Sequence, residues 1–252
     1  MKTNTGPDLD FPYLSENERY SFPLPEKSSH DSIIALGGNL SPGMLLSAYE
    51  QGLFPWFSEE DPVIWHSPDP RFVLFPEKLH VSSFMKKTLK NNKFTITLDH
   101  NFSAVIASCS QIKRPGQGGT WITQDMITAY TKLHSLGWAH SAEAYFEGEL
   151  SGGCYGIRLG NIFFGESMFS KIPNASKAAF LTLARFLFDD DVLLIDCQQT
   201  TRHMESLGAE EISRLEFISL LRGAMALRSP DGTGDRKGNW GKMFPDLAAL
   251  KF

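Results

Sequence analysis

Two acids stand at the ends of apolar runs, where a folded sheet could present them to a cleft. Glu166 lies in FFGESMF, and Asp196 closes the run LLID in LLIDCQ, with Gln198 two residues further on. Carboxylates in apolar surroundings have shifted proton affinity and are where acid–base chemistry is often built, although each also reads as a satisfied structural carboxylate. In an extended strand the side chains of Asp196 and Gln198 face one side. Trp56 in FPWF and Trp121 in GGTWIT sit outside any periodic apolar pattern. They read either as boundary aromatics or as stacking surfaces for an unstacked base. Lys78, Lys86, Lys87, Lys90 and Lys93 fall within sixteen residues that contain no acid. Such a run is either a solvated face or a phosphate-binding patch. Cys197 beside Asp196 is a conceivable nucleophile, but no partner histidine is identifiable. GQGG (116–119) and GTGDRKG (232–238) match neither a P-loop nor a dinucleotide fingerprint. GxSxG, HExxH and clustered metal-ligand histidines do not occur.

The elements that would carry these residues follow from pattern. In IIALGGNLSPGMLLSAYEQGLFPWF, Ser41 is a fitting N-cap and Pro42 a fitting first helical residue. Met44, Leu45, Ala48 and Tyr49 give an apolar face, and Gly52 closes the helix. The prolines at 62, 68, 70 and 76 mark short extended pieces and a boundary near residue 72. Beyond it come a helix over 82–90, a strand over 93–99, and helices over 101–110 and 122–136. Three strands with turns at Glu147-Gly148 and Leu159-Gly160-Asn161 follow, then a helix capped by Asn174 or Ser176. The strand VLLIDCQ and a helix over 213–223 complete the pattern. The fold class expected is α/β (α+β), mixed around one sheet. Residues 1–30 read as an extended, poorly ordered arm, 31–72 as a small N-terminal domain, 73–228 as the larger domain and 229–252 as a mobile tail.

Composition narrows the function classes. The 252 residues are 42% hydrophobic and 21% charged, with a net charge of −5. That is an ordinary soluble globular chain with room for a real core. The pI of about 5.8 argues against a protein that coats nucleic acid in bulk, while leaving room for a local basic patch. No apolar stretch is long enough to span a membrane, and the acidic, polar start lacks a signal-peptide core. Three widely spaced cysteines exclude a disulfide framework and a Cx2C zinc site, and suit a cytoplasmic location.

Several strings go further. IALGGNLSPGMLLSAYEQGLFPWFS, IWHSPDPR, GTWIT, FFGESMFSKIPNASKAA, LIDCQ and HMESLGAEEI, in one collinear order from about Ile33 to Leu221, resemble the bacterial leucyl/phenylalanyl-tRNA–protein transferases. The resemblance implies an acyltransferase of the EC 2.3.2.6 type that moves Leu, Phe and, less well, Met from aminoacyl-tRNA to proteins with N-terminal Arg or Lys. The product is an N-degron read by the N-end rule pathway. It implies a GNAT-like larger domain and no metal or organic cofactor; no membrane partner is expected from the absence of a long apolar stretch, and a monomer is the default expectation. Carried over by position, Trp56 and Trp121 hold the 3′-terminal adenosine, and Glu166, Asp196 and Gln198 form the catalytic group. Phe163 and Met168 line the slot for the transferred side chain, with Cys154 where a Met is familiar and Leu183 where a Phe is expected. Lys86, Lys87 and Lys90 fall where a basic patch meets the tRNA. Two competing readings are a GNAT-like enzyme with an acyl-CoA donor and an RNA-binding protein without activity.

Overall fold

The computed structural model describes residues 5–28, 32–112, 121–228 and 237–243. The strands are β1 (Ile33–Leu36), β2 (Phe54–Pro55), β3 (Ile64–His66), β4 (Arg71–Leu74), β5 (Thr95–Leu98), β6 (Ala139–Phe146), β7 (Glu149–Leu159), β8 (Ile162–Ser170), β9 (Leu194–Gln198) and β10 (Glu210–Ile212). The helices are α1 (Pro42–Glu50), α2 (Ser83–Lys90), α3 (Phe102–Ser110), α4 (Gln124–Ser135), α5 (Ala175–Asp189), α6 (Arg202–Glu205), α7 (Arg214–Ala226) and α8 (Trp240–Met243). The mixed α/β expectation holds: a seven-stranded sheet, ordered β10-β4-β9-β8-β7-β6-β5, accompanies a small sheet ordered β1-β3-β2. Every neighbouring pair is antiparallel except β8 and β9. The expected boundary near residue 72 falls inside β4, whose four residues belong to the large sheet.

Both faces of the large sheet are covered, which explains why the chain leading into β9 reads as one apolar run rather than as an alternating one. One core collects α1, α3, α4 and α7 around Tyr49, Ile106, Tyr130, Phe164 and Phe217. The other collects α2 and α5 around Met85, Phe163, Leu183, Ile195 and Trp240. Helix α5, ASKAAFLTLARFLFD, alternates small and large apolar residues and is buried along almost its whole length, as a helix lying flat on a sheet must be. It starts at Asn174, one of the two caps expected, but Asn174 is left-handed (φ 74°) and its side chain makes no capping bond. The Glu147-Gly148 hairpin is as expected, with both residues at positive φ (51° and 83°).

The arm is extended, as expected, but not loose. Between residues 5 and 28 it carries one short 3-10 turn, Pro25–Lys27, and it is anchored at several points. Phe22 is buried with its ring 5.0 Å from that of Trp65. Ser41, at the start of α1, uses its hydroxyl to accept from the Leu14 N–H (3.1 Å) instead of capping its own helix. The arm passes so close to α1 that a Cβ on Gly43 would lie 2.3 Å from the Ser15 carbonyl oxygen. The tail is corrected in the same sense at residues 237–243. Trp240 is fully buried, stacked 3.5 Å from the His140 ring, with its backbone N–H donating to Asp99 Oδ2 (2.8 Å). An indole with this much area to bury holds its segment to the core. Residues 229–236 and 244–252, and the GQGG stretch at 116–119, lie outside the described residues.

Candidate active site

The parallel pair β8–β9 is hydrogen-bonded over only three residues, Ile162–Phe164 against Leu194–Asp196. Beyond that point β8 runs on to Ser170 while β9 ends at Gln198, so the strands part and leave a cleft. A cavity of about 530 Å³ fills it, within the size range of small-ligand sites. Its lining includes Trp56, Trp121, Cys154, Phe163, Glu166, Met168, Leu183 and Gln198. Eight of the nine residues assigned to catalysis or substrate therefore meet in one pocket. Asp196, the ninth, is fully buried and does not line it.

A β-bulge builds this convergence. Tyr155 and Gly156 of β7 are consecutive, yet they pair with Ser167 and Gly165 of β8, which leaves Glu166 as the extra residue. Bulges re-aim side chains. Phe163 and Met168 are five apart and would face opposite sides of a regular strand. The inserted residue restores them to one side, with Cys154 paired directly across from Met168 and Leu183 supplied by α5. Glu166 is thereby turned toward the other core. Its Oε1 accepts from the Tyr49 hydroxyl (2.7 Å) and from Gln198 Nε2 (2.9 Å), and its Oε2 accepts from the Tyr130 hydroxyl (3.1 Å). The two tyrosine hydroxyls also lie within hydrogen-bond reach of each other. Burial pushes the Glu166 carboxyl up to about 7, opposed by its three donors and assisted by the nearby Asp196 charge. Burial and the Glu166 charge raise both tyrosines well above the ordinary range, so they stay neutral donors.

A second irregularity sets Gln198. Phe72 and Val73 of β4 pair with Gln198 and Asp196, so Cys197 is skipped. Gln198 is left-handed, at φ 63°, an uncommon conformation for a residue with a side chain. Its N–H donates to Asp196 Oδ1 (2.9 Å). Asp196 in turn receives Arg71 in bidentate fashion, Nε to Oδ1 at 2.9 Å and Nη2 to Oδ2 at 2.6 Å. The expectation that Asp196 and Gln198 face one side of an extended strand is thus corrected: the bulge gives Gln198 to the cavity and Asp196 to Arg71. Trp56 and Trp121, both in the cavity lining, are half-buried. The Trp56 backbone is fixed by its N–H to Ile64 (2.9 Å) and its carbonyl to His66 Nε2 (3.0 Å). Burial depresses His66, which leaves it neutral at that contact.

The lysines lie elsewhere. Lys86, Lys87, Lys90 and Lys93 are on and just after α2, outside the cavity lining. Lys78, the fifth of the run, is neutralised by Glu210 (2.9 Å), so the patch is one charge smaller than the sequence suggests. Arg71, Tyr49 and Tyr130 were not singled out as site residues from the sequence. Tyr49 reads there as one more position on the apolar face of α1, and nothing in SPDPR marks its arginine.

A family model described as the leucyl/phenylalanyl-tRNA protein transferase matches residues 73–222, and that of its N-terminal domain matches residues 38–69. The chain belongs to this family. It is thus a member of the aminoacyl-tRNA–protein transferases. A leucyl/phenylalanyl-tRNA–protein transferase of Myxococcus xanthus is 49% identical over 227 residues, 90% of this chain and 94% of that one. Its counterpart in Desulfatibacillum aliphaticivorans is 46% identical over 230 residues, 88% and 99% of the two chains. Among solved structures, L-PGS from Bacillus licheniformis is similar at a TM-score of 0.37 and 10% identity, covering 62% of this chain and 50% of that one. That last likeness is too slight to argue from.

Proposed function

We propose that this transferase moves Leu, Phe and, less well, Met from aminoacyl-tRNA to the α-amino group of proteins beginning with Arg or Lys, marking them for degradation. The observation that carries the reading is one cavity lined by two half-buried tryptophans, by apolar side chains and by the hydrogen-bonded Glu166–Gln198 pair. The tryptophans take the terminal adenosine, whose base gains a stacking surface there. Phe163, Met168, Cys154 and Leu183 take the transferred side chain. The GNAT-type kinship of the large sheet and a cytoplasmic place of action, where charged tRNA is found, belong to the same proposal.

The reaction is aminolysis of an ester. The attacking nitrogen forms a bond to the ester carbon, the bond to the ribose 3′-oxygen breaks, and one proton passes from nitrogen to that oxygen. A free α-amino group titrates near pH 7.7–8.0, so a useful neutral fraction exists at neutral pH. Gln198 has its amide N–H₂ turned to Glu166, which leaves its carbonyl oxygen to accept from the amine and aim it. Glu166 receives three donors and keeps one acceptor position, on Oε2. A carboxyl near 7 exchanges a proton with an α-amine at little cost, so Glu166 takes the proton from nitrogen and returns it to the leaving oxygen.

The test is transfer of labelled Leu, Phe and Met from charged tRNA to peptides beginning with Arg, Lys or Ala. Transfer to the first two and not to Ala supports the reading. No transfer by protein that still binds charged tRNA favours a binding role, and turnover with acyl-CoA favours the other donor class. Leu183→Phe narrows the slot, and the Phe:Leu transfer ratio falls by about tenfold or more, on the scale of discrimination in apolar pockets. An unchanged ratio places the side chain elsewhere.

The α2 lysines are assigned to the tRNA. Lys86→Ala with Lys87→Ala weakens binding of charged tRNA and reduces the slope of log affinity against log salt by roughly 0.7–0.9 for each phosphate that is no longer neutralised. Filter binding over a salt series measures it, and an unchanged slope removes α2 from the interface.

A further inference from the structure

We propose that Arg71 is a positioning residue for the transfer reaction, and that Asp196, through it, acts as a rigid strut for Gln198 and not as a proton relay. The inference rests on the function proposed above, in which Gln198 aims the attacking amine.

Asp196 has little capacity left for chemistry. Its Oδ1 already accepts from Arg71 Nε and from the Gln198 N–H, and its Oδ2 accepts from Arg71 Nη2 at 2.6 Å. Both ions are completely excluded from solvent, and Asp196 is not part of the cavity wall. To take up a proton it would have to give up the charge that holds a buried guanidinium, which leaves an arginine uncompensated in the core. What Asp196 does hold is the one backbone N–H that fixes Gln198 at φ 63°. Left-handed geometry at a residue with a side chain persists only where its surroundings over-determine it, and here they do.

Arg71 also reaches across the molecule. Its Nη1 donates to the Gly52 carbonyl (3.2 Å), and its guanidinium lies 4.9 Å from the Phe54 ring and 4.4 Å from the Phe217 ring. Phe54 lines the cavity and stands two residues before Trp56. One buried side chain therefore ties the segment bearing the adenosine-stacking Trp56 to the strand end bearing Gln198. The two rings flank the guanidinium, a fit that the ammonium of lysine does not reproduce.

The experiment compares Arg71→Lys, Asp196→Asn and their combination in the full chain, each checked for cooperative unfolding. Transfer of labelled Leu from charged tRNA to an N-terminal Arg peptide is followed from pH 6 to 9. A strut predicts that Arg71→Lys lowers kcat by between about 10- and 100-fold, the scale of misplacing a reacting group by about 1 Å, with KM for charged tRNA nearly unchanged. It predicts that the double variant loses no more than the worse single, because the two residues act as one unit. It also predicts that the pH limb persists in all three, staying in place in Arg71→Lys and moving only downward in Asp196→Asn, where Glu166 loses a neighbouring negative charge that raises it. Wild-type kcat in Arg71→Lys overturns the proposal, and so does outright loss of the limb in Asp196→Asn alone. If Arg71→Lys does not fold, Phe217→Leu removes one ring face while leaving the ion pair. A severalfold fall in its kcat supports the strut, and an unchanged kcat overturns it. No transfer by the unaltered protein overturns the function and this role together, whereas full transfer by Arg71→Lys overturns the role alone.

Discussion

Glu166→Gln lowers transfer by about 10²–10³-fold, the usual contribution of a positioned general base, and moves the rising limb of the pH–rate profile upward. In the unaltered protein two groups deprotonate along that limb, Glu166 at about 7 and the acceptor amine near 7.7–8.0. The variant keeps only the second. A profile that falls in height but does not move denies Glu166 the role of base. The same substitution has a stability signature. A carboxyl whose folded value is raised binds its proton more tightly folded than unfolded, so its contribution is fully present below the unfolded value and is lost as pH rises through 7. The unaltered protein therefore loses stability between pH 5 and pH 8, by on the order of 3 kcal/mol if burial acts at its full extent, and Glu166→Gln does not. Urea unfolding at the two pH values makes the comparison. An equal fall in both proteins shows that Glu166 is not the group responsible.

Gln198→Ala lowers kcat by about 100-fold while affinity for charged tRNA changes little. The amide is hydrogen-bonded to Glu166, the proposed base, so the loss falls on the reacting step. Single-turnover transfer with tRNA held above saturation separates the two effects. A large loss of tRNA affinity with kcat preserved instead assigns Gln198 to substrate binding. The left-handed backbone provides a control: Gln198→Gly removes the same amide without the strain of a Cβ at φ 63°, so it matches Ala in activity and exceeds it in stability.

Much of the fold was legible because each element is locally consistent. The apolar face of α1 after Ser41-Pro42, the Glu147-Gly148 turn and the continuous run of β9 all mean what their patterns say. Elements such as β1, β3, α6 and β10 escaped, each only three or four residues long and too short to show a period. The arm and the Trp240 segment read as loose because their polar composition hides single anchors, Phe22 and Trp240, whose partners are far away in sequence.

The sequence by itself determined the residue types of the site and, through the collinear strings, the family. It placed Trp56, Trp121, Phe163, Glu166, Met168 and Gln198 as candidates without being able to bring them together. Tertiary structure decided the rest. A bulge that makes Glu166 the extra residue puts Phe163 and Met168 on one side, although alternation would separate them. The parting of β8 from β9 opens the cavity, and nothing in either strand's composition records where two strands stop pairing. Arg71, Tyr49 and Tyr130 come from three elements that are distant along the chain, and their importance lies wholly in what they touch. Residue type is a local property and can be read from the chain. Register, burial and the partner of a charge are relations between segments, and only the packed molecule contains them.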